Sequence, residues 1–160
     1  GWFAPRAKVL DLGCGVGRLT ERIGLLCPRA EVIGLDISPA MIRVACESLT
    51  RPPNVTYLIG DGRQLPQGMW TLDAAYSMLL FQHLNGETVL GYLHSIAGML
   101  DEHAPFRFQW TIGPGDDADF NHHHSVDAMR DWCRSAGLNP GRPEEDALYP
   151  TWRWLTVSAA

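Results

Sequence analysis

Residues 8–17 read Lys-Val-Leu-Asp-Leu-Gly-Cys-Gly-Val-Gly. Lys8 to Leu12 has the composition of a short buried strand, and the glycines at 13, 15 and 17 stop it. The chain then becomes helical: Leu19, Ile23 and Leu26 fall on one face at i, i+4 and i+7, and Pro28 ends the helix. A second strand, Glu31 to Asp36, follows, with Ser38-Pro39 as cap and first-turn proline of a helix striped by Ile42, Ala45, Cys46 and Leu49. Pro52-Pro53 breaks the chain before a third strand, Asn54 to Ile59, which runs into Gly60-Asp61-Gly62.

The alternation continues. Asp73 to Leu80 reads as the fourth strand, Asn85 caps a helix striped by Val89, Leu93, Ile96 and Leu100, and Pro105 to Ile112 is the fifth strand. Ser125 caps a helix carrying Met129, Trp132, Cys133 and Ala136 with Gly137 at its end, and Trp152 to Ser158 is the final strand. A weaker strand is expected between Leu138 and Leu148, and 113–124 is a polar stretch without periodicity, expected to be mobile. Strands alternating with helices imply an α/β fold with a mostly parallel sheet and right-handed crossovers. One domain spanning 1–160 is the expectation at this length.

Composition bounds the function. Thirteen Lys and Arg against 18 Asp and Glu leave a net charge of −5, which argues against a protein that holds nucleic acid by its phosphates. No apolar run reaches the length of a membrane span. Cys14, Cys27, Cys46 and Cys133 show no CxxC spacing, and scattered single cysteines fit a reducing, cytoplasmic setting. The start, Gly1-Trp2-Phe3-Ala4-Pro5-Arg6, lacks Met and the pattern of a signal peptide, and reads as the start of a trimmed chain.

In such sheets ligands bind beyond the carboxyl ends of the strands. Those ends carry Gly13 to Gly17, Asp36, Asp61 and the run Ser77 to His83. Glycines admit a ligand close to the backbone, a carboxylate after the second strand can accept from two ribose hydroxyls, and one after the third can accept from an exocyclic amine. Each feature alone has an ordinary structural reading as a tight turn or a cap. Their placement on three successive strands points to a nucleoside-type ligand.

The stretch Val9 to Gly17 resembles motif I of the class I S-adenosylmethionine-dependent methyltransferases. Leu35-Asp36-Ile37-Ser38 is similar to that family's acidic loop, Gly60-Asp61-Gly62 to its third motif, and Leu72 to Ser77 with Phe81-Gln82-His83-Leu84 to its fourth strand and the loop after it. The resemblance implies a Rossmann-like doubly wound, seven-stranded sheet in the order 3-2-1-4-5-7-6, strand 7 antiparallel, with helices on both faces. It implies S-adenosylmethionine as cofactor and S-adenosylhomocysteine as product. Gly13, Cys14, Gly15 and Gly17 would form the turn under the methionine portion, and Asp11 would orient its ammonium through water or backbone. Asp36 would hold the ribose, Ile37 and Met41 would pack on adenine, Asp61 and the Gly62 backbone would meet its amino group, and Ser77 and Met78 would line the methionine end.

Methyl transfer needs in-line alignment more than a catalytic side chain. His83, just past the fourth strand, is the candidate general base for an O, N or C nucleophile of a small-molecule acceptor. No Asn/Asp-Pro-Pro-Tyr or Pro-Cys follows that strand, which disfavours amino-methylating and cytosine C5 chemistry. His122 to His124, near Asp116, Asp117 and Asp119, reads as a loop flanking the substrate mouth, with no metal expected. Two alternatives remain. A nicotinamide-dependent dehydrogenase shares the architecture, but GxGxG followed by Arg18 departs from GxGxxG, and Asp11 and Asp61 go unused. The short run before the first strand lacks the family's N-terminal cap helices, so a non-catalytic module, a homo-oligomer or a subunit completed by a capping partner is the other reading.

Overall fold

The computed structural model describes residues 6–65, 71–113 and 122–160. The expectations for Asp116, Asp117 and Asp119 lie outside them. One sheet runs in the order β3-β2-β1-β4-β5-β8-β6. Its parallel part is β1 (Lys8–Leu12), β2 (Glu31–Asp36), β3 (Val55–Ile59), β4 (Ala74–Ser77) and β5 (Pro105–Thr111). β8 (Trp152–Ala159) returns antiparallel along β5 and pairs on its other side with β6 (Leu138–Pro140). The helices are α1 (Arg18–Leu26), α2 (Pro39–Cys46), α3 (Gly86–Ala97) and α4 (Val126–Ser135).

The sheet has eight strands rather than the seven expected. A two-residue strand, β7 (Glu144–Glu145), extends the β6 edge along β8. Its two acids and the Asp146 that follows have no strand-like pattern, and side-chain pairs with distant partners hold them. Arg107 grips Glu144 with two hydrogen bonds of 2.9 and 3.1 Å, Arg153 lies 3.2 Å from Glu145, and Asp146 accepts from Trp154 Nε1 at 2.8 Å and Gln109 Nε2 at 3.1 Å.

Two further expectations change. β4 is shorter than Asp73 to Leu80 because Leu79 takes a left-handed φ of +61° and turns the chain away from the sheet. α2 ends at Cys46, so its buried stripe shrinks to Ile42 and Ala45; Cys46 and Leu49 are exposed, and so is Leu26 at the end of α1. The caps follow the sequence: Ser38, Asn85 and Ser125 accept from the backbone N–H groups of Met41, Thr88 and Ala128.

Strand alternation sends side chains to two cores. Leu10, Leu12, Ala75, Phe106, Phe108 and Trp110 pack with α3 and α4. Val32, Val55 and Tyr57 pack with α1 and α2. Beside α1, an apolar hollow of about 600 Å³ opens over Val9, Leu19, Ile23, Ala74 and Tyr76. Among the described residues no helix is long and apolar enough to cross a membrane.

Trp110 is fully buried and its indole N–H donates to His124 O at 2.9 Å. Trp110→Ala is expected to cost about 3–5 kcal/mol, through the cavity left and the lost hydrogen bond to the His124 carbonyl. Glu144→Gln, which weakens a half-exposed ion pair, is expected to cost less than about 1 kcal/mol. Urea denaturation of the two variants measures both.

Candidate cofactor and acceptor site

The turn after β1 is shaped by three glycines, each with positive φ: 77° at Gly13, 54° at Gly15 and 82° at Gly17. The first and third also face steric limits. A Cβ on Gly13 would lie 2.9 Å from Leu80 Cβ, and one on Gly17 would occupy the place of the Tyr57 hydroxyl. Tyr57, on β3, donates to Gly17 O at 3.3 Å. Its ring also stands where a Cβ on Gly34 would lie, at 2.7 Å. Tyr57 therefore braces the glycine turn from beneath, and two glycines well separated in sequence answer to one ring.

The turn is clipped to β2. Gly13 and Cys14 both donate their N–H to Leu35 O, at 2.8 and 3.1 Å. Gly15 N–H donates to Asp36 Oδ2 at 2.8 Å, while Asp36 Oδ1 accepts from Ser38 N–H at 2.9 Å. Asp36 thus ties the end of β2 to the glycine turn on one side and to the start of α2 on the other. Each carboxylate oxygen keeps acceptor capacity for a ligand hydroxyl.

Asp11 is 2% exposed at the end of β1 and accepts from Thr20 Oγ1 at 2.7 Å. Burial raises its pKa from 3.8 to about 6; the Thr20 bond opposes the rise and the neighbouring charge of Asp36 adds to it. Asp61 is exposed on the turn after β3. Its Oδ1 accepts from Gln64 N–H at 3.0 Å and Arg63 N–H at 2.8 Å, and these bonds hold its carboxyl below the usual range. The Cys14 thiol is pushed up by burial and donates to Gly15 O, so it is no reactive thiolate.

Gly13, Asp36, Ile37 and Gly62 line one cleft of about 70 Å³ at the carboxyl ends of β1 to β3, with Leu80, Leu84 and Tyr92 on its far side. Ile37, Met41 and Ile59 are exposed large apolar side chains around these strand ends and α2. Sequence reading did not single out Tyr92, Leu80 or Ile59. Tyr92 is buried on α3, and burial pushes its hydroxyl up to about 12. Its only sequence signal was adjacency to the stripe position Leu93. Ser77 is fully buried, and its hydroxyl donates to Leu12 O at 2.9 Å, which joins β4 to β1. Met78 is exposed, with the Tyr76 hydroxyl 3.3 Å from its sulfur.

This geometry has known counterparts. The family described as "Methyltransferase domain" matches residues 9–103. The chain belongs to that family. It is 34% identical over 114 residues, 70% of this chain and 36% of the other, to a trans-aconitate 2-methyltransferase of Methylobacterium radiotolerans. It is 35% identical over 88 residues, 52% of this chain and 32% of the other, to a malonyl-[acyl-carrier protein] O-methyltransferase of Halalkalibacterium halodurans. The chain thus spans about a third of the length of these curated relatives. Its fold is shared with a TehB-like SAM-dependent methyltransferase of Corynebacterium glutamicum, with a TM-score of 0.80, 17% identity, and coverage of 99% of this chain and 83% of the other. This is a class I S-adenosylmethionine-dependent methyltransferase domain, which sets the dehydrogenase alternative aside.

The segment beyond β4, where the sequence reading expects the acceptor, is well defined. Phe81–His83 forms a single 3₁₀ turn that buries Phe81 and Gln82 and exposes His83. The chain after β5 pins this segment: His122 N–H donates to Gln82 O at 2.6 Å, and His124 Nε2 lies 2.8 Å from Leu84 O. The histidine run thus holds the segment after β4 in place. Among the described residues no three His, Cys, Asp or Glu side chains converge as a metal site.

A raised carboxyl pKa means the folded domain binds the Asp11 proton more tightly than the unfolded chain does. Its contribution to stability is full below pH 3.8 and is lost as pH rises through about 6. Asp11→Asn, which keeps an acceptor for Thr20, is expected to stabilise the ligand-free protein at pH 7 by up to about 3 kcal/mol. The gain should shrink toward zero at pH 4. Urea denaturation at the two pH values measures it, and an equal gain at both would refute the assignment.

Proposed function

We propose that this domain transfers the methyl group of S-adenosylmethionine to a carboxylate oxygen of a small organic acid or of a carrier-bound acyl chain. The observation that carries the cofactor assignment is the cleft at the ends of β1 to β3, where Gly13, Asp36, Ile37 and Gly62 meet. The acceptor class is supported by the two relatives' names, since trans-aconitate and the malonyl group both present free carboxylates.

Each residue has a task in this reading. Asp36, already ordered by Gly15 and Ser38, accepts from the ribose hydroxyls. Asp61 accepts from the adenine amino group beside the Gly62 backbone, through Oδ2, which neither turn hydrogen bond uses. Ile37 and Met41 cover the purine. The side-chain-free turn from Gly13 to Gly17, with Cys14 turned inward, lets the methionine portion approach the backbone. Asp11 provides the negative charge that favours its ammonium, and Met78 borders the methyl group. When bound, the sulfonium would supply an activated methyl to the carboxylate oxygen, with the neutral thioether as leaving group. A carboxylate nucleophile is already ionised, so no proton moves. Holding the two groups in line within near-attack distance is then most of the catalysis.

His83 stands exposed on the acceptor side. For a carboxylate it is placed to hold the oxygen that is not methylated.

The test is incubation of the protein with S-adenosylmethionine and a panel of di- and tricarboxylic acids, malonyl carrier protein, catechols and amines. Mass spectrometry would score the products. A 14 Da gain on carboxylates alone, reversed by mild alkali, is expected. Methylation confined to amines or phenols would refute the acceptor class.

A further inference from the structure

Gln82 is 3% exposed, yet its Oε1 is buried with no hydrogen-bond partner. Its other amide atom, Nε2, lies 3.4 Å from Nε2 of His83. The main chain that carries it is held in place. Its own carbonyl is held by His122 N–H at 2.6 Å, and the turn that carries it is entered through Leu79 at φ +61°, a conformation branched residues adopt only under constraint. An apolar side chain would fill the same space without leaving a polar atom unpaired. A buried carboxamide against an exposed histidine needs a reason in the histidine.

The oxygen and nitrogen of a carboxamide are alike in shape, so its orientation follows from the hydrogen bonds available. A buried carbonyl without a partner is tolerated better than a buried amide group with two unpaired hydrogens. The nitrogen therefore belongs against the ring and the oxygen in the unpartnered position. A neutral imidazole that accepts at Nε2 carries its proton on Nδ1.

We propose that Gln82 is a positioning residue that fixes the Nδ1–H tautomer of His83, so that the ring presents a donor rather than a lone pair to the acceptor. This rests on the carboxylate reading above. With Nε2 engaged by Gln82 and Nδ1 protonated, the neutral ring has no free basic nitrogen. A donor suits an ionised oxygen, whereas an alcohol or amine that must lose a proton finds no base here. The tautomer thus becomes a device of acceptor selection, set by a residue that does not touch the acceptor.

The test is ring-nitrogen NMR of ¹⁵N-histidine-labelled protein saturated with S-adenosylhomocysteine, for the wild type, Gln82→Glu and Gln82→Met. The wild type is expected to show Nδ1 proton-bearing and Nε2 with the lone pair. Gln82→Glu, which can only accept, is expected to reverse this, and Gln82→Met to lose the Nδ1–H preference. A wild-type proton on Nε2, or one pattern in all three proteins, overturns the proposal. If a variant does not fold, the wild-type spectrum alone decides. Turnover is scored separately: about a tenfold loss of kcat on a carboxylate in Gln82→Met, with KM for the methyl donor unchanged, is expected. The expected wild-type tautomer without carboxylate turnover overturns the donor role and the acceptor reading while leaving the Gln82–His83 pair standing.

Discussion

The hydrogen bond from Gly15 N–H to the Asp36 carboxylate is the constraint on which the rest of the site depends. It joins the turn after β1 to the end of β2 and fixes the position of both elements that a nucleoside must meet. The Leu35 carbonyl reinforces it by taking two successive N–H groups of the same turn. From beneath, Tyr57 fills the space that side chains at Gly17 and Gly34 would need. A left-handed turn of three glycines costs conformational entropy on folding. Several fixed partners hold it in one shape, so a ligand meets a site already formed.

A second set of polar contacts organises the opposite wall. The segment after β4 and the segment after β5 are joined by backbone and ring hydrogen bonds from His122 and His124 to Gln82 and Leu84. Leu80, in the same segment, leans on Gly13. The segment after β4 is thus in contact with the glycine turn through one leucine and with the segment after β5 through two histidines.

The first half of the fold was legible because its signals are local. Glycines and acids at the ends of successive apolar strands, and Ser or Asn before three of the four helices, state their roles within a few residues. What was not legible depends on contacts distant in sequence. Glu144 and Glu145 become a strand because Arg107 and Arg153 are beside them, and nothing within 144–145 says so. The hydrogen bond from the Ser77 hydroxyl to the Leu12 carbonyl, across the strand pair, likewise has no local signal. Leu26 and Leu49 fit a helical stripe, yet they fall at or beyond the ends of helices too short to bury them. Tyr92 carries no motif, and Gln82 stands in one only as a neighbour of His83; the packed structure alone reveals the first lining the cleft and the second with a buried, unpaired amide oxygen.

The central claim is that the Asp36-centred cleft holds an S-adenosyl group. Calorimetric titration of the wild type and Asp36→Ala with S-adenosylhomocysteine and with NAD tests it most directly. The account predicts binding of S-adenosylhomocysteine and no heat with NAD. It also predicts at least tenfold weaker binding of S-adenosylhomocysteine by Asp36→Ala, because hydrogen bonds to a charged group contribute about 1.5–3 kcal/mol and tenfold is about 1.4 kcal/mol. Binding of NAD, or unchanged affinity in the folded variant, would contradict it.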